Sequence, residues 1–319
     1  MSKEATPSRR LTPHSRRVLL ALTSVFSPMF DICIIGHVTK DIIRIDGEIT
    51  REIAGGTAIY SALALRSLGA NVAVATKTAG DDRPFVNQEL ERWGITVFWQ
   101  ESEKTTIFEN NYRRDNLDRR TQNVRAIADP FTVEDVAQIE AKIVHLGPLI
   151  QGDIPIDIIS TIRDRNKFKT GQISLDAQGY LRRVDAAETV CPVDWKEKET
   201  GLQFVDILKV DRTEACLLSG CDRPEEAAKV LANLGVREVV ITFGSGGSYI
   251  YTGDRGDRVP AFPPQEEVDP TGCGDTYIAG YLYQRLLGLQ GREAGEFAAR
   301  LATRKLEGFG PLKTGFDKK

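Results

Sequence analysis

Val268-Asp-Pro-Thr-Gly-Cys-Gly-Asp275-Thr-Tyr-Ile-Ala-Gly280 is the stretch that decides the reading of this chain. Small residues and two glycines, Gly272 and Gly274, run straight into an apolar segment that predicts a helix over 273–287. The first backbone N–H groups of a helix have no partner inside it and carry the positive end of its dipole. Glycines let such a backbone approach an anion closely, so the pattern suits a phosphate. Asp275 places a carboxylate inside that anion site, where it repels phosphate. It has two readings: a general base that takes a proton from an attacking hydroxyl, or a plain helix cap. The glycines on both sides of Cys273 favour the first.

Working outward, the pattern alternates strand and helix. The apolar run Asp31-Ile-Cys-Ile-Ile35 ends at Gly36 and reads as a buried strand. Further strands are expected at 72–76, 143–146, 172–175, 205–210 and 238–242, and helices at 57–68, 84–93, 154–164, 212–219, 225–234 and 292–306, with a late hairpin over 249–262. Such alternation predicts an α/β fold with a mostly parallel central sheet and helices on both faces, three layers in all. Two strand-rich stretches, about 37–53 and 95–128, do not fit that scheme and are expected to form a small β lid. The first of them contains Asp46-Gly47, a hairpin turn signal. Residues 111–125, polar and charged, read as a hairpin tip or flap. His37 and His145 fall at strand ends, and Trp93, Trp99 and Trp195 read as packing residues.

The chain has 319 residues, 41% hydrophobic and 27% charged, which is ordinary globular composition. Lys plus Arg number 42 against 45 Asp plus Glu, so the basic excess of a nucleic-acid-binding protein is missing. The five cysteines (33, 191, 216, 221 and 273) have no CxxC spacing and, with three His, form no zinc ligand set. Their odd number fits a reducing compartment. No apolar run approaches the ~20 residues that span a bilayer; Val18 to Phe26 is the longest candidate. The expectation is therefore a cytoplasmic protein with neither nucleic acid nor membrane as partner. Residues 1–29 carry Arg9, Arg10, Arg16 and Arg17 with one acid, Glu4, and read as an extension outside the fold. The folded domain is expected over 30–311 and a tail over 312–319.

The heptad Asp269 to Asp275 resembles the D-T-x-G-A-G-D signature of the ribokinase, or PfkB, family of carbohydrate kinases. Other pieces fall in that family's order. Gly36-His-Val-Thr-Lys-Asp41 resembles the first strand and its sugar-binding Asp, and Gly55-Gly56 the N-terminal glycine pair. Lys209-Val-Asp-Arg-Thr-Glu214 resembles the K-x-N-x-x-E stretch, and Thr242-Phe-Gly-Ser-Gly-Gly247 the nucleotide loop. The resemblance implies a ribokinase-like fold and an enzyme that moves the γ-phosphoryl of ATP to an alcohol. It implies Asp275 as the catalytic base and Gly272, Cys273 and Gly274 as the anion hole for the moving phosphoryl group. It further implies Asp41, Gly55 and Gly56 beside the substrate, Thr242, Gly244 and Gly247 at the nucleotide, and Glu214 organising Mg²⁺ through water. A monovalent cation is admitted as well. The partners implied are a small substrate and ATP, on a monomer or a homodimer joined through the lid.

The chain departs from the family pattern in three places. Tyr60 stands where the family carries an Asn after the glycine pair, which changes size and polarity near the sugar. Asp211 replaces the Asn of N-x-x-E and adds negative charge near nucleotide and metal. Cys273 replaces the central Ala of G-A-G; a helix start lowers a thiol pKa, so a reactive role stands beside a packing one. Asp176-Ala-Gln-Gly-Tyr-Leu-Arg182 with Thr105-Thr-Ile-Phe-Glu-Asn110 resembles plant-type myo-inositol kinases more than ribokinase proper. That places Gln178 and Phe108 at the substrate. The acceptor expected is a small sugar, polyol or cyclitol. A nucleoside kinase of the same fold and a non-catalytic sugar-binding relative are the alternatives; the absence of G-x-G-x-x-G after the first strand removes a dinucleotide-dependent oxidoreductase.

Overall fold

The computed structural model describes residues 30–113, 116–166 and 171–313. The expected extension over 1–29, Arg114 of the polar flap and most of the tail lie outside the described residues. In chain order the first half contains β1 (Phe30–Ile35), β2 (Thr39–Ile45), β3 (Glu48–Gly55), α1 (Thr57–Ser67), β4 (Val72–Ala79), α2 (Arg83–Glu89), β5 (Thr96–Ser102), β6 (Ile107–Arg113) and β7 (Asn116–Ala126). There follow β8 (Ala141–Leu146), α3 (Ile156–Asn166), β9 (Gln172–Asp176), β10 (Arg182–Val184), β11 (Val190–Pro192), α4 (Lys198–Leu202), β12 (Ile207–Asp211) and α5 (Arg212–Ser219). The chain closes with α6 (Pro224–Asn233), β13 (Glu238–Thr242), β14 (Ser248–Thr252), β15 (Arg255–Val259), α7 (Cys273–Leu286) and α8 (Gly291–Leu306).

Nine strands form one sheet in the order β15-β14-β13-β12-β9-β8-β1-β4-β5. All neighbours from β13 to β5 run parallel, and only β14 and β15 are antiparallel. Parallel strands need both faces covered, which is why the apolar runs Ile32–Ile35 of β1 and Val72–Ala75 of β4 are continuous. One face packs against α3, α5 and α6 through Ile158, Ile159, Ala215, Leu218, Ala228 and Leu231. The other packs against α1, α2, α7 and α8 through Ile59, Leu63, Val86, Ile278, Leu282 and Ala298.

A second sheet, β3-β2-β6-β7, is the lid. Its first hairpin turns on Asp46 and Gly47, both with positive φ (51° and 87°), the geometry whose twist matches antiparallel strands. The lid is tied down where Thr105 Oγ1 donates to Asp82 Oδ2 (2.6 Å) and Lys40 Nζ lies 2.5 Å from Asp82 Oδ1. At its far edge Val124 N donates to Glu188 O (2.8 Å), beside the β10–β11 hairpin.

One expected lid strand belongs elsewhere. Residues 96–102 pair with β4 in parallel, Ala73 opposite Thr96 through Ala79 opposite Ser102, so β5 is the edge strand of the main sheet and the second lid segment starts at Ile107. An edge strand and a lid strand are both partly exposed, so a mixed run such as Thr96–Ser102 fits either until its pairing partner is known. Most of the polar stretch 111–125 is strand. There Arg125 grips the buried Glu109 (2.8 Å) and the exposed Glu188 (3.0 Å), while Arg44 reaches Glu109 from the next strand at 3.1 Å. The hydrogen bonds from Arg125, working against burial, hold the Glu109 carboxyl down at about 2.

Candidate active site

The C-terminal ends of β1, β9, β12 and β13 converge with the N-termini of α1 and α7, where ligands sit in open α/β sheets. Both helices start on a glycine in a left-handed conformation: Gly56 (φ 87°) before α1 and Gly272 (φ 74°) before α7. Neither start carries a side-chain cap, although Cys273 N donates to Pro270 O (3.2 Å) and Ile59 N to Gly56 O (3.0 Å), so only part of each first turn can face an anion or substrate oxygen. Gly272 has a further reason: a Cβ there would overlap the Tyr60 ring.

A cavity of about 380 Å³ lies between the two helix starts and the lid, walled by Asp41, Gly56, Thr57, Tyr60, Phe108, Gln122, Leu149, Gln178, Arg182, Pro270, Thr271, Gly272 and Asp275. Asp275 is in the first turn of α7, with its backbone C=O accepting from Ser61 Oγ of α1 at 3.0 Å. Gln178 Nε2 donates to Thr57 Oγ1 (3.2 Å), and the Thr57 hydroxyl in turn bonds the Asp275 carboxylate. Asp275 Oδ1 is buried with no partner. Burial first, then the Asp176 charge, raises the Asp275 pKa, while Lys209, Thr57 and Arg182 pull the other way. An oriented carboxylate with one unsatisfied oxygen and raised proton affinity is the arrangement a general base requires. The capping reading fails, since the cap position is Gly272 and no side-chain cap bond exists there.

Beneath the Gly272–Gly274 turn lies an ion pair. Lys209 Nζ is 2.8 Å from Asp176 Oδ2; Lys209 is 6% exposed and Asp176 fully buried. A Cβ on Gly274 would come to 3.2 Å from Lys209 Nζ, which puts this ammonium directly under the glycine turn. Burial favours a neutral amine, but the charges of Asp176, Glu214 and Asp275 outweigh it and hold the Lys209 pKa above its ordinary value. Arg182, at the start of β10, adds a second cation on the cavity wall, with Nη2 3.8 Å from Glu214 Oε1.

Glu214 and Asp211 form a reciprocal cap at the start of α5. Asp211 N donates to Glu214 Oε2 and Glu214 N donates to Asp211 Oδ1, both at 2.8 Å. Burial, with Asp176 and Asp211 nearby, pushes Glu214 up to about 7 against the pull of Lys209 and Arg182. With one oxygen of each carboxylate committed to the cap, and no group of three metal-binding side chains among the described residues, the donor set suits a hydrated Mg²⁺ held through water better than direct chelation.

On the lid side, Asp41 is 7% exposed and takes the Thr39 hydroxyl on Oδ1 at 2.7 Å. Gly55 packs against that carboxylate so tightly that a Cβ would overlap it. Gly56, Phe108 and Gln178 also wall the cavity. Tyr60 borders it too, but the residue is 2% exposed and its ring lies against Gly272, which leaves little of it open to a ligand. The cavity wall does not reach Asp211, Glu214, Thr242, Gly244 or Gly247. Thr242 ends β13, with Gly244 (φ 58°) and Gly247 (φ 86°) shaping the turn into β14 on the same edge of the sheet. Cys273 packs: burial pushes its thiol up to about 11, and no reactive thiolate forms. His145 is an interior residue of β8, its Nδ1 3.1 Å from Ser174 Oγ, and burial pulls it down to about 4.

Thr57, Gln122, Asp176, Arg182 and Lys209 take part in this geometry without having been assigned roles from the sequence. Asp176, Arg182 and Lys209 stand inside sequence motifs. Thr57 and Gln122 had no local signal at all.

This fold and site define an α/β enzyme with one cavity closed between two glycine-led helix starts and a β lid. The model of the pfkB family of carbohydrate kinases matches residues 29–312, and the chain belongs to that family. A cytidine kinase from Thermococcus kodakarensis is 26% identical over 273 residues, 80% of this chain and 88% of the relative. Among solved structures, a sulfate complex of a pyrophosphate-dependent kinase in the ribokinase family is 31% identical with a TM-score of 0.79, covering 88% of this chain and 97% of the other. A pyrophosphate-dependent kinase of the same family, complexed with a pyrophosphate analog and myo-inositol, is 30% identical with a TM-score of 0.78 over the same shares. The protein is therefore a carbohydrate-kinase enzyme with the ribokinase-like fold. No helix among the described residues is long and apolar enough to cross a membrane.

Proposed function

We propose that this enzyme transfers a terminal phosphoryl group to an alcohol of a small sugar, polyol or cyclitol. The observation that carries the reading is the placement of Asp275, with its unpaired Oδ1, across one cavity from Asp41 on the lid. Asp41 and its neighbours accept hydrogen bonds from acceptor hydroxyls and orient the ring. Asp275 takes the proton of the attacking hydroxyl as its oxygen bonds to phosphorus and the bridging P–O bond of the donor breaks. The N–H groups of the Gly272–Gly274 turn, with Lys209 beneath them and Arg182 beside them, balance charge on the moving group. Mg²⁺, held near Glu214 and Asp211, would neutralise the donor phosphates. The lid excludes water.

ATP is the donor expected from the glycine loop at Thr242–Gly247. Pyrophosphate is a second reading, favoured by the similarity to pyrophosphate-dependent kinases at 30–31% identity. The test is phosphoryl transfer from Mg²⁺-ATP and from Mg²⁺-pyrophosphate to a panel of sugars, inositols and nucleosides. Transfer to a cyclitol or sugar from either donor supports the reading. Transfer only to nucleosides, or none at all, overturns it.

A further inference from the structure

Lys305, in the last turn of α8, is a fully buried charge that the chemistry above does not use. An ammonium taken out of water is costly unless its charge and its N–H groups are met. Lys305 Nζ donates to Asp269 O at 2.6 Å and lies 3.1 Å from Asp269 Oδ2. The centre of the Tyr60 ring is 5.7 Å from the same nitrogen, within cation–π range. Both partners bear on the glycine turn. Asp269 Oδ1 accepts from Thr271 N at 2.9 Å, and the Tyr60 ring fills the space that a Cβ on Gly272 would need. The other Asp269 oxygen accepts from Gly310 N at 3.0 Å, while Val268 N and Asp269 N both donate to Leu306 O. Burial pushes the Asp269 carboxyl up, but the bonds from Thr271 and Gly310 and the Lys305 charge outweigh it and hold its pKa below the ordinary value.

Packing alone does not call for this lysine, since a methionine would fill a similar volume with no charge to desolvate. Its charge has a use in what it faces. Asp269 is a buried carboxylate at the head of the turn that, in the reading above, receives the moving phosphoryl group. Left alone, that carboxylate would repel the incoming anion through a medium that screens poorly. A monovalent metal ion could answer it through carbonyl and carboxylate oxygens. Here the Asp269 carbonyl and carboxylate already meet an ammonium, and a second cation would face its charge at close range.

We propose that the Lys305 ammonium is the built-in cation of the Asp269–Asp275 turn: it neutralises Asp269, holds the turn in its anion-binding shape and takes the place that K⁺ or Na⁺ would fill. This rests on the kinase reading above. Lys305 is a positioning residue and touches no reacting atom. The test removes the ammonium and offers a free one. Wild type, Lys305→Ala and Lys305→Met, each as the full chain, are compared in potassium, sodium, ammonium and ethylammonium chloride against choline chloride at equal ionic strength. Choline is too bulky for the space that a lysine end leaves. Wild-type turnover should agree within twofold across all the salts. Lys305→Ala should melt at least three degrees higher in one of the small cations than in choline, because a ligand of the folded state stabilises it. With the donor and acceptor that wild type uses, Lys305→Met should lose at least tenfold in kcat with the acceptor KM within threefold. Lys305→Ala should regain at least fivefold in kcat from a small cation. A merely structural lysine would lower the melting temperature alike in every salt and give no cation-dependent kcat. Fivefold activation of wild type by K⁺ or Na⁺, a Lys305→Met kcat within twofold of wild type, or no small-cation effect on Lys305→Ala would each overturn the proposal. The wild-type series decides even where a variant fails to fold. Absence of turnover in wild type fails the kinase reading alone, and the melting series of Lys305→Ala then decides the cation.

Discussion

Lys209 Nζ and Asp176 Oδ2 meet at 2.8 Å beneath the glycine turn that starts α7, both nearly out of solvent. The pair joins the ends of β9 and β12 and holds a positive charge under Gly274. Breaking it leaves a buried charge uncompensated, which costs about 3–5 kcal/mol. Lys209→Met should therefore lower the melting temperature steeply, and adding Asp176→Asn should recover a measurable part. Thermal unfolding of the two single variants and the double variant checks this, with non-additivity as the expected result.

Asp275→Asn keeps shape and removes the proton acceptor. Turnover should fall by about 10²–10⁴ while donor binding is kept. The folded state raises the Asp275 pKa, so it disfavours the carboxylate. That penalty is absent below the unfolded pKa and grows as pH rises through the folded one. The Asn variant should accordingly be as stable as wild type in acid and more stable at pH 8. Near-normal turnover in this variant would remove Asp275 from the role of base.

Glu214 gives a pH signature of its own. Its folded pKa of about 7 exceeds the ordinary 4.5, so the native state binds more protons between those values and stability falls as pH rises across them. Glu214→Gln should flatten that part of the melting-temperature profile, an effect of order 1–3 kcal/mol. It should also raise the Mg²⁺ concentration for half-maximal rate. An unchanged Mg²⁺ requirement with a raised acceptor KM would reassign the residue to the substrate pocket.

Gly272→Ala tests the approach of the α7 start to Tyr60. The backbone sits at φ 74°, and a Cβ would overlap the ring. Strain and overpacking together predict a loss of roughly 2–5 kcal/mol. Gly274→Ala meets only the flexible end of Lys209, at 3.2 Å, so it should unfold less readily yet still obstruct the anion site. Melting curves and turnover of the pair separate fold from function: Gly272→Ala should lose both, and Gly274→Ala mainly turnover.

The sequence by itself determined the alternation of apolar strands and amphipathic helices, the Asp46-Gly47 hairpin and the glycine-led start of α7. Those are local matters: continuous apolar runs, turn chemistry, and glycine where the backbone must be left-handed. It also placed Asp275, because a carboxylate among anion-binding glycines is a local contradiction. The tertiary structure alone decided that β5 joins the main sheet, since a partly exposed mixed run fits an edge strand and a lid strand equally until a pairing partner is chosen. It alone turned the Tyr60 ring against Gly272, 212 positions away in sequence, and so left little of it open to a ligand. The relay from Gln178 through Thr57 to Asp275 joins three separate segments, and the Lys209–Asp176 pair joins two. Pairing between residues far apart in the chain depends on how the sheet and lid fold over one another, and composition and spacing carry no trace of it.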